Sequence, residues 1–115
     1  MKKKLTDDQQ LLLKDLYGRM LYHVKVQYRT SKAVDLTEYM RSVRLVDCRP
    51  YLRLMSSMTP EESAEYAALW AAREPYMPGE TTDYLNEHMF DWRGLIPRGL
   101  AIAVTEEFNP YREEL

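Results

Sequence analysis

The chain has 115 residues, of which 45% are hydrophobic and 30% are charged, and its net charge is −2. This length predicts a single globular domain over residues 1–115, and the composition is ordinary for a soluble protein. No apolar run reaches the roughly 18 residues of a membrane span, and the basic start of the chain lacks the apolar stretch of a signal peptide. Cys48 is the single cysteine, so no internal disulfide can form. We therefore expect a cytoplasmic protein that binds no membrane.

The charge is unevenly distributed along the chain. Residues 19–53 carry eight Lys or Arg against three Asp or Glu, whereas residues 54–115 carry four Arg against twelve Asp or Glu. Such asymmetry indicates either a partner of opposite charge or two halves that face each other, within the fold or between copies in a homo-oligomer. We favour the interpretation in which the two halves face each other. Charges on a protein surface increase solubility whether or not a partner binds them.

A first helix is predicted from about residue 6 to residue 18. Thr6 and Gln9 fit a capping box, and Gly18 lies where a helix commonly ends. The apolar residues between them follow a helical period that predicts one buried face. That face comprises Leu12, Leu13, Leu16, Tyr17 and Met20.

The middle of the chain predicts a small antiparallel sheet. Residues 22–29 alternate between apolar and polar side chains, which is typical of a half-buried strand, and residues 30–32 resemble a turn. Residues 33–48 fit either a short helix or, through residues 43–46, a strand, and we favour two further strands that complete the sheet. Pro50 permits an edge strand through residues 51–55.

Two further helices are predicted after residue 58. Thr59, Pro60 and Glu62 form a helix-start signature, and that helix is expected to end near Arg73. Prolines at 75 and 78 predict a loop, a third helix starts at residue 81 or 82, and Gly94 ends it. Residues 100–104 form a C-terminal strand or turn, and the acidic tail 105–115 is expected to be loosely held. The predicted fold class is therefore α+β.

Several short blocks are distinctive. They are Leu-Leu-Leu-Lys-Asp-Leu at residues 11–16, Met-Ser-Ser-Met-Thr at 55–59, Tyr-Leu-Asn at 84–86 and Phe-Asp-Trp-Arg-Gly-Leu-Ile at 90–96. In these blocks the chain resembles short uncharacterised proteins encoded by gut anaerobic bacteria and by their phages or mobile elements. That family has glycine where His23 stands, which argues against a tight turn at His23. Since the family has no assigned activity, the resemblance implies a bacterial or phage cytosolic setting and transfers no catalytic residue.

Candidate metal-ligating residues are few. His88 and Asp91 lie three residues apart, a spacing that can place two ligands on one helix face. A metal or acid–base site needs three or four converging groups, and His23 is the only other histidine. We therefore expect His88 to be a partly buried histidine on a helix flank, and we expect no metal or other cofactor.

The remaining candidate catalytic residues also have structural interpretations. Asp83 and Glu87 fit a solvated helix face better than a catalytic carboxylate pair. Cys48 next to an apolar strand is typical of a small buried side chain rather than of a nucleophile. The sequence has no phosphate loop, dinucleotide fingerprint, nucleophile elbow or Cys-x-x-Cys pair. We therefore predict that the protein is not an enzyme and has no catalytic residue.

Basic residues in segment 29–53 suggest an alternative function, nucleic-acid binding. Interleaved with tyrosines at 28, 39 and 51, they could follow a phosphate backbone while the rings stack on bases, provided that Arg44 and Arg53 share a face with the others. Because the whole chain is mildly acidic, we favour a structural role for these residues, in which long cationic side chains protect a sheet edge from unwanted pairing. The basic residues are Arg29, Lys32, Arg41, Arg44, Arg49 and Arg53.

Residues 90–101 carry the leading functional hypothesis. As structure, the large side chains of this segment fill the core while its two glycines allow turns. As an interface, Trp92, Arg93 and Arg98 form an exposed anchor cluster, because Trp and Arg dominate binding hot spots. We favour the structural interpretation of the segment. For the whole protein, the small size and the missing catalytic motifs favour a non-enzymatic accessory or inhibitor, of phage or mobile-element type, that binds another protein.

Overall fold

The computed structural model describes residues 4–29, 32–39, 41, 43–72 and 79–112. Four helices are α1 (Asp7–Arg19), α2 (Leu36–Tyr39), α3 (Pro60–Ala72) and α4 (Gly79–Glu87). Four strands are β1 (Lys25–Gln27), β2 (Ala33–Asp35), β3 (Arg49–Leu52) and β4 (Ile102–Ala103), and short 3-10 turns lie at Met20–Tyr22, Leu45–Asp47 and Met55–Ser57. The predicted α+β class, with an N-terminal helix, a small sheet, further helices and a C-terminal strand, is confirmed.

Helix α1 begins as its capping signal predicts. The Gln9 amide N–H donates to Thr6 Oγ1 at 3.1 Å, and the Thr6 N–H donates to Gln9 Oε1 at 3.0 Å. Leu12 and Leu16 are buried against the sheet. Tyr17, predicted on the same face, is instead 60% exposed, because the buried face of α1 runs through Leu12, Asp15, Leu16 and Arg19 and Tyr17 lies about 100° around the helix from Leu16.

The sheet has the strand order β2-β1-β3-β4. β1 pairs antiparallel with β2 and with β3, as predicted for the middle of the chain, whereas the C-terminal strand β4 runs parallel to β3, so the complete sheet is mixed. The predicted strand over 22–29 shortens to Lys25–Gln27, and residues 45–47 form a 3-10 turn where a strand through 43–46 was considered. Apolar residues of β1 and β3 pack with α1 in the core, namely Val26 and Leu52 with Leu12 and Leu16.

His23 adopts the left-handed conformation, with a φ of 59°. The expectation that no tight turn forms at His23 is therefore wrong. Its Nδ1 lies 2.9 Å from Asp35 Oδ2 and 3.2 Å from Thr37 Oγ1, so polar contacts to the next segment hold a conformation that non-glycine residues adopt infrequently.

Pro50 lies in an interior strand, not in the edge strand that the sequence predicted. Val104 N–H donates to Leu52 O at 2.8 Å, so Leu52 directs its backbone polar groups toward β4. Pro50, two residues earlier, faces the same way by the two-residue period of a strand. β4 begins opposite Tyr51 and therefore offers no acceptor opposite residue 50. Proline, which has no backbone N–H, loses no strand hydrogen bond at this position.

Helices α3 and α4 form a second, smaller core. Tyr66 and Leu69 of α3 pack against Tyr84 and Leu85 of α4, and Phe90 lies beneath them with no exposed surface. Helix α4 starts at Gly79, two or three residues earlier than predicted, and ends at Glu87, before the predicted end at Gly94. The predicted end of α3 near Arg73 and the proline loop before Gly79 lie outside the described residues.

The C-terminal segment lies against the sheet as far as residue 112. The Tyr111 hydroxyl donates to Tyr51 O at 2.7 Å and accepts the Lys25 N–H at 3.0 Å. Phe108 packs on the Tyr51 ring with 5.3 Å between the ring centroids. Residues 105–112 of the predicted tail thus contribute specific contacts to two strands. Among the described residues, no helix combines the length and the apolar character that crossing a membrane requires.

Candidate functional site

The segment from Met89 to Leu100 is a tightly specified corner. It begins next to β3, where Arg53 N–H donates to Met89 O at 2.7 Å and Asp91 N–H donates to Arg53 O at 2.8 Å. The Asp91 carboxylate then accepts the backbone N–H groups of Leu95 and Ile96 at 2.8 and 2.9 Å. Both oxygens of Asp91 bind backbone N–H groups and the residue is buried, so this carboxylate shapes the corner.

Two glycines allow the corner to turn. Gly94 and Gly99 have φ values of 78° and 75°, a region that other residues rarely adopt. Leu95 between them is fully buried in the main core. The structural role predicted for this segment therefore accounts for its glycines and for its central apolar residue.

Trp92 lies on the outside of this corner. Its side chain is 37% exposed, unlike the neighbouring Phe90, which has no exposed surface. The indole N–H donates to Asn86 Oδ1 at 2.9 Å, and the Arg93 guanidinium carbon lies 4.0 Å from the centroid of the indole ring. Two contacts of different kinds thus fix the orientation of a half-exposed aromatic ring.

Arg93 belongs to a buried charge network rather than to an exposed cluster. Its Nη1 lies 2.9 Å from Asp15 Oδ1, and the other Asp15 oxygen pairs with Arg19 Nε at 2.9 Å. Asp15 and Arg19 have no exposed surface. Arg19 also donates to the backbone oxygens of Leu85 and Phe90. The network therefore joins α1 to α4 and to the corner, and it holds Arg93 beneath the Trp92 ring.

Arg98 takes no part in that arrangement. Its Nη1 lies 3.1 Å from Asp8 Oδ1, and both side chains are more than half exposed. An exposed pair of this kind contributes about 0–1 kcal/mol, because water and salt screen it. Of the three residues predicted to bind a partner, the structure brings Trp92 and Arg93 together and places Arg98 in a separate surface pair.

Two exposed apolar residues that the sequence did not single out for binding lie on either side of Gly18 in the sequence. Tyr17 and Leu21 are 60% and 86% exposed, and they lie four residues apart at the end of α1. Between them, a Cβ atom on Gly18 would meet Asn86 Nδ2 at 3.2 Å and Arg93 Nη2 at 3.9 Å, so α1 closely approaches the residues that hold Trp92. The available signal was the four-residue spacing of Tyr17 and Leu21, which places two apolar side chains on one side of a helix. We call Tyr17, Leu21, Trp92 and Arg93 the Trp92 surface.

The basic residues of segment 29–53 do not form one set. Arg53 donates through both Nη atoms to Glu62 at 2.7 Å and lies 4.2 Å from the Phe90 ring, at the end of β3 opposite Arg49. Arg44 Nε lies 3.6 Å from Asp47 Oδ2. The structure thus separates Arg53 from the remaining cations. Those cations are exposed and comprise Arg29, Lys32, Arg41, Arg44 and Arg49.

The two histidines also lie in different places. His23 pairs with Asp35, whereas His88 Nδ1 lies 4.0 Å from Glu62 Oε2 and its ring stacks on Tyr84 at 4.2 Å. In the part of the chain that the structure describes, no three His, Cys, Asp or Glu side chains gather as metal ligands would. His88 approaches Glu62, whereas Asp91 bonds to the backbone of the corner, so the structure shows no site built on His88 and Asp91 among the described residues.

The other catalytic candidates have structural surroundings. Asp83 and Glu87 are exposed on α4, as expected of a solvated face. Cys48 is 1% exposed, and burial raises the pKa of its thiol to about 11. At neutral pH the thiol is therefore protonated, and a protonated thiol is a poor nucleophile.

A cleft of about 500 Å³ lies between the end of α4 and the C-terminal segment. Arg53 and Arg112 line it together with Glu87 and Glu106, so cations and carboxylates are balanced in number. Glu62 neutralises Arg53 by the bidentate pair described above. One cation, Arg112, and two carboxylates, Glu87 and Glu106, then remain in the lining.

The chain matches no protein-family model, no curated protein and no solved structure. The resemblance to proteins of gut bacteria and phages therefore stays a prediction, and the function is argued from the geometry of this chain alone.

Proposed function

We propose that the protein is a non-enzymatic binding protein, a cytosolic accessory or inhibitor of phage or mobile-element type, and that it binds another protein through the Trp92 surface. The observation that carries the proposal is the fixed orientation of a half-exposed indole. Asn86 bonds its N–H and the guanidinium of Arg93 covers one face of the ring. A side chain that is already ordered loses little conformational freedom when a partner covers it.

The composition of the Trp92 surface also supports this proposal. Trp, Tyr and Arg are the residues most enriched where protein interfaces have their largest energies, and Leu21 adds the most exposed apolar side chain among those described. Arg93 is held from below by the buried Asp15, so it remains beneath the ring without needing a partner's carboxylate. The surface therefore offers a rigid aromatic anchor with apolar area beside it.

Affinity capture from a bacterial extract tests the proposal with two matched tryptophan variants. Trp92→Ala should weaken capture of the partner by more than about tenfold, since anchors of this kind contribute at least roughly 2 kcal/mol. Trp70→Ala is the control, because Trp70 is similarly exposed, at 45%, but lies on α3. We expect this control to retain the partner.

A second variant separates binding from folding. Leu21→Glu changes a side chain that is 86% exposed, so the melting temperature should not change while partner affinity falls. The proposal is wrong if Leu21→Glu leaves capture intact and Trp92→Ala acts only by lowering the melting temperature. It is also wrong if light scattering shows a dimer that Leu21→Glu dissociates, because the partner would then be a second copy of this chain.

A further inference from the structure

We propose that a second surface, distinct from the Trp92 surface, binds the phosphate backbone of single-stranded nucleic acid. It lies at the end of the sheet where β1 ends and where β2 and β3 begin. We call it the basic sheet end and define it by Arg29, Lys32 and Arg49, with the exposed ring of Phe108 beside it.

The strand register brings the three cations together. Gln27 at the end of β1 pairs with Arg49 on one side and with Ala33 on the other. Neighbouring strands lie about 4.8 Å apart, so the backbones of Arg49 and Ala33 are separated by roughly 10 Å. Lys32 precedes Ala33 and Arg29 follows β1 by two residues, so both extend the same end of the sheet. The connection between β1 and β2 and the start of β3 therefore bring these residues to one end of the sheet, although the sequence separates them by up to 20 positions.

The two arginines of this end are open to a polyanion. Within the described residues, neither Arg29 nor Arg49 has a carboxylate within ion-pair distance, and Arg29 lies 5.0 Å from the ring of Tyr28 instead. Arg44 adds less, because Asp47 lies 3.6 Å from it. A run of phosphates is the partner that complements clustered arginine and lysine without needing a pocket.

An exposed aromatic ring favours a single strand over a duplex. Tyr51, predicted to stack on bases, is 2% exposed and cannot do so. Phe108 packs on Tyr51 and remains 47% exposed, so it presents a ring on the same face of the sheet as Arg49, which lies two residues before Tyr51. Unpaired bases stack on such rings while cations follow the backbone. Glu107 is exposed next to Phe108 in the sequence, and its carboxylate disfavours a phosphate close to it.

Fluorescence anisotropy with a labelled oligothymidylate tests the inference over a range of salt concentrations. Two phosphate contacts, one for each arginine, predict that the logarithm of the affinity falls with the logarithm of salt with a slope of about −1.4. Arg49→Glu should weaken binding and bring the slope closer to about −0.7. Phe108→Ala should weaken binding about tenfold, as expected for one stacked base.

Two controls distinguish a site from general charge effects. Lys14→Glu makes the same change in net charge at an exposed position of α1, and it should bind as the unchanged protein does. Polyglutamate should compete poorly. The inference is overturned if the oligonucleotide fails to bind at low salt, if Lys14→Glu and Arg49→Glu weaken binding equally, or if polyglutamate competes as well as nucleic acid. The last outcome would indicate an acidic protein as the partner.

Discussion

Asp15 and Arg93 are 78 positions apart in the chain, yet their side chains form an ion pair of 2.9 Å inside the protein. Asp15 also pairs with the fully buried Arg19, so one carboxylate compensates two guanidinium groups. Removing one member of a buried pair leaves an uncompensated charge, which costs far more than the pair itself contributes. This relationship makes α1 and the corner at residues 89–100 depend on each other.

Asp15→Ala should therefore lower the free energy of unfolding by about 3–5 kcal/mol, because it leaves Arg19 buried without a carboxylate. Chemical denaturation followed by tryptophan fluorescence measures the change. Asp8→Ala is the matched control, since it breaks the exposed pair between α1 and Arg98 and should cost at most about 1 kcal/mol. Equal effects of the two substitutions would contradict the network.

The pairing of Glu62 with Arg53 predicts a pH-dependent contribution to stability. The Arg53 guanidinium, together with the Thr59 backbone N–H, lowers the pKa of Glu62 from an ordinary value of 4.5 to about 2. A carboxyl whose pKa is lower in the folded state stabilises the protein above the ordinary pKa, and this stabilisation is lost as the pH falls through the window between the two values. Glu62→Gln should therefore be less stable than the unchanged protein at pH 7, by about 1–3 kcal/mol.

The difference between the two proteins should shrink as the pH falls from 4.5 toward 2. Thermal melts at intervals across that range measure it. Glu61→Gln serves as the control, because Glu61 is exposed in the same first turn of α3. A difference between Glu62→Gln and the unchanged protein that stays constant with pH would show that Glu62 acts through packing instead.

Tyr111 predicts that the C-terminal segment contributes to stability through one hydroxyl group. Tyr111→Phe removes the oxygen that accepts the Lys25 N–H and donates to Tyr51 O, at little change in volume. Stability should fall by about 1–3 kcal/mol, because a backbone N–H and a backbone oxygen lose their partner together. Chemical denaturation of Tyr111→Phe measures the loss. The same measurement on Tyr17→Phe gives the effect of removing a hydroxyl group from an exposed tyrosine. Identical stability of the two variants would refute the anchoring role.

Local signals predicted the parts of the fold that depend on neighbouring residues. Both capping boxes, Thr6 with Gln9 and Thr59 with Glu62, form as their spacing indicated. Such motifs need only a few consecutive residues, so the sequence contains all the information that they require. The same holds for the glycine turn at Gly94.

Contacts between distant residues were not predictable in this way. The parallel pairing of β4 with β3 and the pairing of Arg53 with Glu62 depend on how separate elements approach each other. Composition gave no means of telling whether Trp92 is core or surface, because large aromatics near a helix end occupy either position. The hydrogen bond from the Trp92 indole to the neighbouring buried Asn86 holds the ring at the surface.

The hydroxyl of Tyr111 reaches a strand that precedes it by 86 positions, and this distance bears on how the molecule assembles. The hairpin of β1 and β2 is local and can close on the microsecond timescale. Joining β4 and Tyr111 to the sheet requires closing far longer loops, which is entropically slower. We therefore expect a late step in which an already formed hairpin keeps its Lys25 amide in water until the far end of the chain arrives.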